Sequence, residues 1–155
     1  MGETVIKLDT GSPVTIMTVR HLSLILKCSI SRILRLLSSN NGIKRHSFKS
    51  YTGDDISAVL CRLCNVKIGD TVVSNFYFYL NLDTKARGNA LIGVDFIRCC
   101  SISACIDGSI NLNYCSEVYT LPQQDVLEID EILFTSFEES SFDSFMSGAS
   151  QMSCT

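Results

Sequence analysis

The sequence predicts a mainly β domain with a few short helices, and three observations carry that reading. Between residues 46 and 82 lie three β-rich runs separated by polar turn signals, a pattern of consecutive hairpins. Apolar residues at helical spacing are confined largely to residues 18–38. No βαβ alternation and no internal repeat is present. With 155 residues, 46% of them hydrophobic, the chain is long enough for one core that buries roughly two thirds of the unfolded surface.

Taken in order, Val5 to Leu8 and Val14 to Met17 read as two strand pieces joined by the polar turn Asp9 to Pro13. The period then changes, with Leu22, Ile25 and Leu26 followed by Ile30, Ile33, Leu34 and Leu37, which predicts two short helices. Ser29 is suited to cap the second, and Asn40-Asn41-Gly42 ends it. Strands are expected over His46 to Tyr51, Ile56 to Ile68 and Thr71 to Leu82, with turns at Thr52 to Asp55 and Gly69-Asp70. After the charged loop Asp83 to Asn89, the run ALIGVDFIRCC reads as a strand broken by Gly93 and entering a short helix with Asp95 near its start. A last hairpin turns at Asp107-Gly108.

Charge divides the chain. Residues 1–98 hold all 13 Lys and Arg against seven acids, a surplus of +6, whereas residues 99–155 hold nine acids and no Lys or Arg. Composition shifts towards Ser, Asp, Glu and Phe at about Ser116, so a body over 1–115 and an acidic tail over 116–155 are expected. The tail reads as disordered or as a short amphipathic helix lined by Val126, Ile129, Leu133 and Phe137. The basic residues are scattered without aromatic interleaving, which argues against nucleic acid as a partner. No apolar run approaches the roughly 18 to 20 residues of a membrane span, and no signal core follows a basic N-terminus. A soluble, cytoplasmic protein is expected. Cys61 and Cys64 lie three apart on a predicted strand and point to opposite faces, so the eight cysteines read as small buried hydrophobes, not a metal site.

One short run, VIKLDTGSPVTIM, sets a carboxylate among apolar neighbours. Burying an unpaired carboxylate costs several kcal/mol in practice, because the ion loses its water. A turn of the Asx type would account for Asp9 to Gly11 in isolation. Together with Ala90-Leu91-Ile92-Gly93-Val94-Asp95-Phe96, however, the Asp9-Thr10-Gly11-Ser12 segment resembles the active-site pattern of the retropepsin-like aspartic proteases, the retroviral, retrotransposon and bacterial type. The two motifs stand 82 residues apart in the family's order, and the likeness covers about residues 4 to 115. Ser12-Pro13 replaces the commoner Ala-Ser or Ser-Ser, and eight residues precede Asp9 where family members usually have about fifteen or more, as though an edge strand were lost or removed by autoprocessing.

That resemblance implies a closed, barrel-like acid protease fold acting as a C2 homodimer, since the chain holds a single D-T-G. Asp9 would be the catalytic carboxylate, with Thr10 bonding across the dimer and Gly11 and Ser12 completing the loop. Leu91, Ile92 and Gly93 would support that loop from behind. Tyr51, Thr52, Gly53 and Asp54 would form the flap over a protein or peptide substrate, with Gly53 at its tip. No cofactor and no metal are implied. The alternative is a catalytically silent dimer of the same fold serving as a protein-interaction module. His21 and His46 read as surface or helix-end residues, not ligands, and Tyr51 is equally compatible with a plain strand position.

Overall fold

The computed structural model describes residues 2–50, 52–69, 71–114, 125–129 and 150–154. Among them run ten strands and three helices, so the protein is mainly β. No helix among the described residues is long and apolar enough to cross a membrane.

Strand β1 (Glu3–Leu8) turns Ile6 into the core and leaves Val5 and Lys7 outside, as a period of two requires. β2 (Ile16–Thr18) runs directly into α1 (Val19–Leu26). The junction is made by Thr18, whose hydroxyl accepts from the His21 N–H while the His21 ring accepts from the Thr18 N–H. His21 takes the place that Glu or Gln holds in the usual reciprocal cap. In α2 (Ile30–Ser39), Ser29 is the cap, accepting from Arg32 N at 3.2 Å. The buried faces carry Val19, Leu22, Ile25 and Leu26 on the first helix and Ile33 and Leu36 on the second. Ile30, expected inward, sits at the first helical position and is 40% exposed; Leu36 fills the face instead.

Two hairpins follow. β3 (Arg45–Lys49) pairs antiparallel with β4 (Asp55–Ile68), which pairs antiparallel with β5 (Thr71–Asn81) around Gly69, held at φ +58 where glycine is favoured. Alternation on β5 points Phe76, Phe78 and Leu80 inward; Phe76 meets Phe96 edge-on at 5.5 Å. β6 (Ala90–Ile92) lies between β1, to which it is parallel, and β2, to which it is antiparallel. Then come α3 (Val94–Ile97) and the two-stranded sheet of β7 (Cys100–Ala104) and β8 (Ile110–Tyr114), turning at Gly108.

The described parts of the acidic region join the body. β9 (Leu127–Glu128) pairs parallel with Cys61 and Arg62 of β4, and β10 (Ser150–Cys154) pairs parallel with both β1 and β4. Leu127 and Ile129 are fully enclosed in the core, and Glu128 accepts from Arg62 Nε at 2.6 Å. Backbone pairing recruits β9 and β10 into the mixed sheet, while Ile129, one of the residues expected to line a helix, takes helical backbone and is buried. Leu133 and Phe137 lie outside the described residues, as does Tyr51. Cys61 is buried and Cys64 partly exposed, consistent with opposite faces of one strand, and burial pushes the Cys61 thiol far up.

Candidate active site

β1 delivers Asp9 to the surface end of the strand, where the chain turns at once. The Asp9 N–H donates to Ile92 O at 2.9 Å, and the Ser12 N–H donates to Asp9 O at 3.2 Å. The carboxylate accepts from the Gly11 N–H at 2.9 Å, which is the Asx-type geometry. That is its one hydrogen bond among the described residues. A Cβ at Gly11 would stand 3.2 Å from the same carboxylate oxygen. Asp9 is half-buried, so the apolar neighbours do not enclose it: Ile6 goes to the core and the carboxylate to a cleft.

The second motif locks this loop from below. Val94 N–H donates to Ser12 O at 2.8 Å, and Gly93 N–H to the Thr15 hydroxyl oxygen at 3.1 Å. A Cβ on Gly93 would come 2.3 Å from Val14 O and 2.7 Å from Ser12 O, closer than any side chain tolerates. Glycine is therefore required here by contact with backbone. Thr15, fully buried, donates its hydroxyl to Asp95 Oδ1 at 2.7 Å and its N–H to Asp95 Oδ2 at 3.0 Å. The same carboxylate accepts from Phe96 N–H at 2.8 Å. The Thr15 hydroxyl and both Asp95 carboxylate oxygens are thereby hydrogen-bonded, which low local polarity demands.

A cleft of about 780 Å³ opens above the loop. It is lined by Asp9, Gly11 and Ser12 of the loop, by Ile16 and Leu91, and by Phe48, Lys49, Ser50 and Ile56 of the β3–β4 hairpin. The hairpin turn is rigidified by its own bonds: Ser50 N–H to Asp54 O at 2.8 Å, Gly53 N–H to Ser50 O at 2.9 Å, and Thr52 hydroxyl to Asp54 Oδ2 at 3.0 Å. Gly53 takes φ +89, which places the only residue type at ease with that angle at the turn.

Of the expected site residues, Asp9, Gly11, Ser12 and Leu91 line the cleft, whereas Thr52, Gly53 and Asp54 of the expected flap do not. Ile92 and Gly93 lie behind the Asp9 loop, whereas Leu91, alternating with buried Ile92, lines the cleft. Thr10 is exposed, and its hydroxyl makes no hydrogen bond among the described residues. Sequence reading missed Thr15 and the role of Asp95: the pair stands 80 residues apart, and no local period links them. His46, expected at the surface, is half-buried beside Phe48 and Tyr79. Among the described residues no three His, Cys, Asp or Glu gather in a way that would hold a metal ion. Comparisons with protein-family models, with curated proteins and with solved structures return no match.

Proposed function

We propose that the protein is a homodimeric aspartic endopeptidase of the retropepsin-like kind, in which two copies each contribute one Asp9. The observation that carries this reading is a single arrangement: a half-buried carboxylate on a tightly fastened loop opens into a cleft that the β3–β4 hairpin also lines, through Phe48, Lys49, Ser50 and Ile56. The fastening through Ile92, Gly93 and Asp95 supplies the rigidity that positioned acid–base groups need. The barrel-like closure belongs to the proposal too, and the pairing of β10 with both β1 and β4 supports it.

Two carboxylates about 3 Å apart cannot both ionise, so they share one proton around a water. The ionised partner takes a proton from the water as its oxygen attacks the peptide carbonyl. The protonated partner donates to the carbonyl oxygen as it becomes an oxyanion; collapse of the tetrahedral species then breaks the C–N bond and returns a proton to the leaving amine. Thr10 is exposed beside Asp9, and in this reading its hydroxyl bonds to the second copy across the two-fold axis. The Phe48–Ile56 side of the hairpin provides apolar surface for an extended polypeptide.

Asp9→Asn tests this. Replacing the carboxylate with an amide of the same shape should abolish cleavage of a mixed peptide library while the circular dichroism spectrum and sedimentation of the dimer stay unchanged. Residual cleavage above about a thousandth of the parent rate, the scale of one essential acid–base group, would assign the activity elsewhere. A dimer that cleaves nothing in either form would leave the interaction-module reading.

A further inference from the structure

Beyond the loop that follows β5 lies a second cleft, of about 350 Å³, with a different chemistry. Its cations are Lys7 of β1, Arg20 of α1 and Arg87 of the loop, and no carboxylate lines it. All three side chains are exposed, and none forms an ion pair among the described residues, where the recorded pairs are Lys49–Asp55 and Arg62–Glu128. Between them lie Val5 and Leu24, 53% and 49% exposed, two of the large apolar side chains the fold leaves in water. Three like charges around an apolar floor repel one another and lower nothing in the folded chain alone, so the arrangement fits an anionic ligand with apolar parts. His21 is the one aromatic side chain in the lining, and its ring is engaged by Thr18, so the cleft lacks the row of stacking platforms that a nucleic-acid groove presents.

The position of this cleft says which ligand. Thr18, Ala86, Gly88 and Asn89 line both it and the Asp9 cleft, so the two meet along one wall. An extended chain advances about 3.3 Å per residue, and a peptide seated at Asp9 reaches past Gly88 and Asn89 within a few residues. We propose that the Lys7–Arg20–Arg87 cleft is a specificity subsite that receives acidic residues of the polypeptide substrate, to one side of the bond cut at Asp9. Guanidinium groups recognise carboxylates in a planar, two-pronged geometry, and Val5 and Leu24 would take the intervening aliphatic side chains. The identity of this ligand as substrate rests on the proposed protease activity; the acidic preference does not.

The full-length Asp9→Asn chain, which would hold peptide without cutting it, is titrated with a fluorescein-labelled decapeptide bearing glutamates around a pair of leucines, and with its glutamine twin. At about 50 mM salt the acidic peptide is expected to bind about tenfold tighter, with the margin shrinking at about 300 mM as screening shortens. Arg20→Gln with Arg87→Gln should bring the two peptides within about twofold, with the dichroism unchanged because both positions are exposed. Lys7→Glu, on another element, should do the same if the double variant fails to fold. Equal binding of the two peptides, a preference surviving in both variants, or displacement by a short DNA oligonucleotide as readily as by the acidic peptide would overturn the subsite. Acid-selective binding with no cleavage by the parent chain would sink the protease reading alone; cleavage indifferent to acidic residues would sink the subsite alone.

Discussion

The buried hydroxyl of Thr15 donates to Asp95 Oδ1 at 2.7 Å while the N–H of the same threonine donates to Asp95 Oδ2 at 3.0 Å. One carboxylate thus grips both the side chain and the backbone of a residue six positions beyond Asp9. Thr15→Val keeps the shape and removes the hydroxyl, leaving Gly93 N–H without its acceptor and Asp95 with one donor fewer. The expected loss is about 1 to 3 kcal/mol by urea denaturation, the range for an unsatisfied buried polar group. Thr15→Ser should recover most of it, and equal stability of Val and parent would show that the clamp is not structural.

Gly93→Ala is expected to cost more. The added methyl meets Val14 and Ser12 carbonyl oxygens, which are backbone and cannot swing aside as a side-chain end can. Shifting the Asp9 loop should destabilise the fold by about 2 kcal/mol or more. A thermal melt within error of the parent would mean that the two segments do not approach as closely as the structure has them.

If each copy supplies half of a shared site, activity depends on pairing. Mixing Asp9→Asn with parent protein at equal amounts, after exchange of subunits, should leave about a quarter of the activity per total dimer, because only pairs of two parent chains keep both carboxylates. Activity that falls by only a quarter would mean that one Asp9 suffices for a pair, and a fall by half that each chain works independently.

Leu127 and Ile129 are 1% and 0% exposed, so the acidic region is anchored by them. Leu127→Ala and Ile129→Ala are each expected to cost about 2 to 5 kcal/mol, as for other large-to-small core changes. Truncation after residue 119 removes both, together with the Arg62–Glu128 pair and β10, and is expected to unfold the body in circular dichroism. A cooperatively folded 1–119 fragment of parental stability would restore the view of an independent tail.

His46 provides a pH dependence. Its ring packs edge-on against Tyr79 at 5.2 Å, and its Nε2 is buried without a hydrogen-bond partner among the described residues. Burial, and then the charge of Lys44, lower its pKa from the ordinary 6.5. The unfolded chain therefore takes up the proton first, so this contribution is full above pH 6.5 and is lost as pH falls through the folded value. His46→Phe should flatten the stability profile between about pH 7 and 5 relative to the parent. Parallel profiles would remove His46 from the account.

By itself the sequence determined most of the elements and the two turns that matter. Helical and strand periods are properties of neighbouring residues, so β1 through β8, the Ser29 cap and the Asp107-Gly108 turn were legible from local pattern. The Asp9 turn was legible too, because Asp, Gly and Ser select such backbone wherever they stand. Only the tertiary structure decided that Thr15 belongs to Asp95, that Leu91 faces the cleft while Ile92 supports the loop, and that Leu127 and Ile129 complete the core. It also brought Lys7, Arg20 and Arg87, from a strand, a helix and a loop, around one opening. The reason is physical: a hydrogen bond or a burial contact between segments 80 residues apart depends on which strands lie side by side. That choice is made by the packing of the whole chain and leaves no period in either segment.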